Sequence, residues 1–151
     1  MEKEDPENCV FCKILDGVYP ISQFYEDNLC VGLMTIEPVN TGHAMVIPRG
    51  HHPYLADMPS ELAGHIFQIG HKLAAAIRSC GVPCDGINMF VADGEAASQE
   101  VFHFHLHVYP RVENDGFGFR FDERHFQTPP RAELNRVAKL IQTHMPKTTI
   151  Q

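Results

Sequence analysis

Three histidines fall at alternate positions in His103-Phe104-His105-Leu106-His107. On a strand, successive side chains take opposite faces, so these imidazoles share one face while Phe102, Phe104, Leu106 and Val108 take the other. The rings would then follow one another about 6.5–7 Å apart. A neutral imidazole can attack phosphorus, pass a proton or, once charged, pair with phosphate oxygens. Three neighbours cannot all carry charge comfortably, so a division of labour is expected. The central His105 is best placed to attack a phosphorus, with its flanks serving orientation and charge. A His-rich exposed face and a row of metal ligands are the competing readings. Just upstream, Gly94–Glu100 is built of small and polar residues, which let backbone amides approach an anion.

A second constellation is Cys9-Val10-Phe11-Cys12, two thiols one helical turn apart. The pair could be a redox motif, two inert core residues, or half of a zinc site needing two further ligands. No strand precedes it in the manner of a thioredoxin-like unit. His51 and His103 are the candidates to complete Cys2His2, with His52 an alternative to His51. Cys30, Cys80 and Cys84 read as structural.

These residues need elements to position them. A short helix is expected over Val10–Leu15, then a hairpin of strands Gln23–Glu26 and Leu29–Thr35 turning at Asp27-Asn28, then a strand His43–Pro48. The spacing of Leu62, Ile66, Ile69, Leu73 and Ile77 predicts one long helix over Ser60–Cys80, with Ser60 as N-cap and Gly81 closing it. Strands Gly86–Ala92 and Val101–Tyr109 follow, the latter ending at Pro110, and a last amphipathic helix covers Pro130–His144. The expected fold is α+β: a five-stranded antiparallel sheet with one long helix and N- and C-terminal helices. Residues 1–8 read as a disordered acidic start, 9–111 as the domain, and 112–151 as an extension whose final helix packs on it.

A formal net charge of −7 argues against non-specific binding to a nucleic-acid backbone. No apolar run approaches the ~20 residues of a membrane span, and the opening residues lack the order of a signal peptide. No membrane or nucleic-acid partner is expected, and the expected location is the cytoplasm.

His103 through Tyr109 matches every position of His-φ-His-φ-His-φ-φ, φ being apolar, and so resembles the HIT (histidine triad) family. The resemblance takes in Tyr25-Glu26-Asp27, Gly42-His43, Val46-Ile47-Pro48, Gln99 and Arg111. It implies a homodimer, a hydrolase or transferase that cleaves the α-phosphate linkage of a nucleoside 5'-phosphate derivative (a dinucleoside polyphosphate, a phosphoramidate or an adenylate) through a nucleotidyl-His105 intermediate and releases a nucleoside monophosphate. It also implies that His43 and His107 contact phosphate, that Gln99 holds the phosphate or leaving group, and that backbone at Ser98, Glu100 and Val101 donates to its oxygens. Many bacterial-type members resemble the zinc reading, which makes Cys9, Cys12, His51 and His103 the ligands of a structural zinc. Three positions depart from the pattern. Thr35 stands where an acidic residue commonly holds the ribose, Ala92 replaces an Asn, and Ser98 replaces a Gly. The first two keep a nucleotide-binding regulatory module as the alternative function; a metal-storage protein is a third. Arg111 is the basic residue to watch for phosphate contact.

Overall fold

A computed structural model describes residues 5–146 of the chain, which divides into two compact units after Phe117. The first unit is built on five antiparallel strands: β1 (Gln23–Glu26), β2 (Cys30–Met34), β3 (Ala44–Pro48), β4 (Gly86–Phe90) and β5 (Leu106–Arg111). Their order across the sheet is β1-β2-β3-β5-β4, which leaves β4 at an open edge. Helix α1 (Val10–Leu15) precedes the sheet and helix α2 (Ser60–Ser79) links β3 to β4.

The period of two in β2, β3 and β5 sorts the core into two layers. Ala44, Val46, Phe104, Leu106 and Val108 pack with Ile66, Ile69, Leu73 and Ile77 of α2. Val31, Leu33, Met45 and Ile47 face the other way, against Cys9, Phe11, Ile14 and Leu15 of the N-terminal segment. The long helix approaches the sheet closely at Gly70, where a Cβ would lie 2.6 Å from Leu106. No helix of the described residues is long and apolar enough to cross a membrane.

Several local expectations shift. Pro59, not Ser60, occupies the N-cap of α2, and no side chain caps that end. Gly81 does take the left-handed conformation at the other end (φ +92°). The last strand starts at Leu106, not Val101, because the Phe104 amide donates to the His52 carbonyl and not to a neighbouring strand. The strand also runs through Pro110 to Arg111, beyond the last β3 pairing at Ala44–Val108, so the missing N–H breaks no ladder. Residues 1–4 of the expected disordered start lie outside the described residues, and Pro6–Asn8 form a 3-10 turn capped by Asp5.

The second unit, taken by itself, contains a 3-10 turn at Glu123–Phe126 and helix α3 (Arg131–His144). An Arg136–Glu133 ion pair lies on α3, and none of the helix's residues is buried.

Candidate active site and metal centre

His107 is placed by β5, on the face opposite the α2 core, and pairs with Met45 of β3. His103 and His105 precede the strand, yet the alternation persists, with Phe104 in the α2 layer and both imidazoles turned away from it. The His105 and His107 rings stand edge-to-face with centroids 4.8 Å apart, closer than the backbone period implies because the rings lean together. His103, His105 and His43 are all buried.

Hydrogen bonds assign the proton on each ring. The Val39 amide donates to His43 Nδ1 at 3.0 Å, so that nitrogen is an acceptor and the proton of neutral His43 sits on Nε2. His43 Nε2 lies 2.9 Å from His107 Nδ1 and donates to it. The proton of His107 is thereby confined to its Nε2. His105 Nδ1 donates to the His103 carbonyl at 2.8 Å, which leaves the lone pair on Nε2. The pair of rings therefore offers one nucleophilic nitrogen and one N–H donor. Burial pushes the His43 and His107 pKa values down, to about 4 and about 3, and neighbouring imidazoles push His107 further. Burial also lowers His105, opposed by its bond to the His103 carbonyl and by the charge of Glu100. All three rings are neutral near pH 7.

Both nitrogens of His43 are occupied, so it touches His107 and has none left for a phosphate. Gln99 is equally committed. Its Oε1 accepts from the Gly94 amide at 2.7 Å, and its Nε2 donates to the carbonyls of Pro53 (2.7 Å) and Val101 (3.1 Å). Gln99 braces the loop. The turn it braces uses the amides of Ala97, Ser98 and Gln99 internally, bonded to Gly94 and Glu95 carbonyls. The amides of Glu100 and Val101, which the turn does not use, come next in line toward His105. Ser98 sits in the left-handed region (φ 67°), which explains why glycine suits that position.

Thr35 opens the loop between β2 and β3, and its Oγ1 accepts from the Glu37 amide at 3.3 Å. The next residue, Ile36, is 96% exposed. Its only signal in the sequence is a lone aliphatic side chain in a polar loop, and sequence reasoning missed it. Ala92 is buried just beyond β4. Arg111 does not face a phosphate. Its Nε and Nη2 clamp the Asp115 carboxylate at 2.6 and 2.7 Å, Nη1 donates to Asn88, and Nη2 also donates to the Phe117 carbonyl. Asn40 ties the same carboxylate to the Pro110 carbonyl. These bonds hold Asp115 and Phe117 to β5 within the first unit.

On the α1 side, Cys9, Cys12, His51 and His103 converge, with ligand atoms all within 4.8 Å of one another. Cys9 Sγ lies 3.5 Å from His103 Nδ1, and Cys12 Sγ lies 3.3 Å from His51 Nδ1 and 3.6 Å from His103 Nδ1. A sulfur at ~2.3 Å and a nitrogen at ~2.05 Å from one tetrahedral ion would sit about 3.6 Å apart. The donor set fits. His103 Nε2 donates to the Pro48 carbonyl at 2.9 Å, which leaves Nδ1 as the ligating nitrogen and orients the ring. His52 points to the Asp57 carbonyl and is no part of the cluster.

The HIT domain family model matches residues 17–114 of this chain. The protein hit of Bacillus subtilis is 42% identical over 113 residues, covering 74% of this chain and 77% of that protein. An adenosine 5'-monophosphoramidase of Saccharomyces cerevisiae is 32% identical over 135 residues, covering 87% and 82%. Among solved structures, a zinc-bound histidine triad family protein from Mycobacterium smegmatis superposes with a TM-score of 0.71 at 38% identity, covering 93% of this chain and 100% of that one.

Proposed function

The chain belongs to the HIT domain family, and from that premise we propose that it cleaves nucleoside 5'-phosphate derivatives at the α-phosphate through a nucleotidyl-His105 intermediate. One observation carries the reading: the hydrogen-bond chain from Val39 through His43 to His107, set beside the His103–His105 bond, leaves a bare Nε2 on His105 and an N–H on His107. A nucleophile and a donor side by side are what transfer to phosphorus requires.

The His105 Nε2–phosphorus bond forms as the bond to the leaving group breaks. His107 Nε2–H and the amides of Glu100 and Val101 donate to phosphate oxygens, where charge is greatest. Water then attacks phosphorus, His105 departs, and the nucleoside monophosphate is released. His43 acts through His107, and Gln99 acts through the loop it braces. Thr35 supplies a hydroxyl where a carboxylate would bind ribose more firmly, and Ile36 offers an apolar face to the base. The monophosphoramidase similarity supports nucleotide hydrolysis over a pure binding module.

Cys9, Cys12, His51 and His103 would hold a structural zinc, supported by their tetrahedral spacing and by the zinc-bound relative. The ion would tie the N-terminal segment to the peptide whose carbonyl orients His105. The open edge at β4, with half-exposed Met89, and the exposed Phe67 of α2 support a homodimer.

Incubation with adenosine 5'-phosphoramidate and diadenosine polyphosphates tests the activity. AMP and a covalent adduct are expected from the parent and neither from His105→Asn. Nucleotide binding without turnover in the parent would leave a regulatory module instead.

A further inference from the structure

Asp27, at the turn between β1 and β2, takes no part in the triad chemistry, yet donors from several elements converge on its carboxylate. Oδ1 accepts from the Leu29 and Cys30 amides, both at 2.8 Å. Oδ2 accepts from the Tyr25 hydroxyl at 2.7 Å and from His65 Nε2 of α2 at 2.6 Å. A carboxylate has about four lone-pair positions. Three are filled by groups of the same hairpin, and the fourth meets an imidazole that can give up its proton.

Cys30 meets the same point from β2. Its side chain is fully buried, and its sulfur, the carboxylate oxygen and the His65 nitrogen all lie within 4.8 Å of one another. An ion pair with His65 accounts for the carboxylate but leaves the thiol unexplained. Burial, with the Asp27 charge behind it, pushes the Cys30 thiol up to about 12. Although burial opposes it, hydrogen bonds from His65, Tyr25 and the two amides hold Asp27 well below the usual carboxylate range. An ionised carboxylate beside a buried thiol is an arrangement that a cation stabilises.

We propose that Asp27 Oδ2, Cys30 Sγ and His65 Nε2 form a second metal site, for a divalent ion such as zinc or cobalt(II), with one position open to solvent. Mixed sulfur, nitrogen and oxygen donors suit these ions and not magnesium or calcium. Binding sends the thiol proton to solvent and places the imidazole proton on Nδ1. A thiolate, a carboxylate and a neutral ring then balance the two charges of the ion. Nitrogen and oxygen ligands of one tetrahedral ion sit about 3.4 Å apart, so His65 must draw back from its 2.6 Å contact by about 0.8 Å. Its side chain is 29% exposed and that of Asp27 25%, which gives the ring room to rotate and the ion a way in. Arg49, bonded to the Asp27 carbonyl, has its charge taken up by Glu26 at 2.8 Å. The site shares no residue with the Cys9, Cys12, His51 and His103 cluster. With three protein ligands against four it holds its ion less firmly, and fills when metal is added.

The test titrates cobalt(II) chloride into the full chain loaded with zinc, which is colourless and outcompetes cobalt at the four-ligand cluster. The parent should bind one further equivalent, with a thiolate-to-cobalt charge-transfer band in the near ultraviolet, a raised thermal midpoint and unchanged zinc content. Cys30→Ser, which keeps the shape of the buried side chain, should lose the band. His65→Gln should lose saturable cobalt binding and the cobalt-dependent rise in midpoint, whatever breaking the ion pair does to its midpoint without cobalt. No band in the parent would leave a hydrogen-bonded staple only and overturn the assignment. A band that survives Cys30→Ser, or an unchanged cobalt affinity in His65→Gln, would overturn it as well. If the chain retains no zinc, the four-ligand reading fails, and the comparison of parent with Cys30→Ser still decides this one.

Discussion

Lowering the pH from 7.5 to 5.5 should destabilise this protein through His43 and His107 in particular. An unfolded histidine takes up a proton near pH 6.5. In the folded chain burial holds His43 to about 4 and His107 to about 3. Folded pKa values below the unfolded one mean that the stabilisation is complete above about pH 6.5 and is lost as pH falls toward about 4. At pH 5.5 the unfolded state binds roughly one proton per ring and the folded state almost none, which costs about 1.4 kcal/mol for each ring, about 3 kcal/mol for the pair. Urea unfolding at both pH values measures the loss. The double variant His43→Asn/His107→Asn should lose about 3 kcal/mol less between the two pH values than the parent. The other histidines contribute to both proteins and cancel in the difference, provided zinc content is matched. Equal losses in parent and double variant would refute the neutral, buried pair and with it the assignment of the protons.

Three further outcomes are expected. Ser98→Gly relieves a left-handed residue and should raise the unfolding free energy by about 0.5–1 kcal/mol, the relief exceeding glycine's greater chain entropy; urea titration reads it. Arg111→Met leaves the Asp115 carboxylate without its bidentate partner and should lower the thermal midpoint while KM stays unchanged, separating this arginine from substrate binding. Cys12→Ser should abolish stoichiometric zinc by elemental analysis and lower the thermal midpoint by several degrees, whereas a fully loaded variant would remove Cys12 from the ligand set.

The five strands, the long helix and the imidazole face were legible because each rests on a local period: two along the strands, three to four along α2. The Cys/His cluster was legible because Cys9 and Cys12 lie one turn apart and the family resemblance picks His51 and His103 from among ten histidines. What escaped depends on contacts between distant segments. That His43 faces His107, and not a ligand, follows from a loop amide bonding its other nitrogen. That Gln99 braces a loop depends on Pro53, far away in the chain. Arg111 looked free to bind phosphate because Asp115, its partner, lies in a stretch without regular pattern. The late start of β5 was hidden for the same reason, since the His52 carbonyl replaces a strand neighbour for Phe104.

The donor chain has one end that cannot change. A backbone amide never surrenders its proton at ordinary pH, so Val39 acts as a stop that sets the handedness of every ring after it. Reversing the two imidazoles would require the loop between Thr35 and Gly42 to swing away, not any change at the triad. Lengthening or loosening that loop should therefore scramble the register of protons at His107 with every histidine still in its place. Evolution could silence such a site by inserting a residue in an unremarked loop.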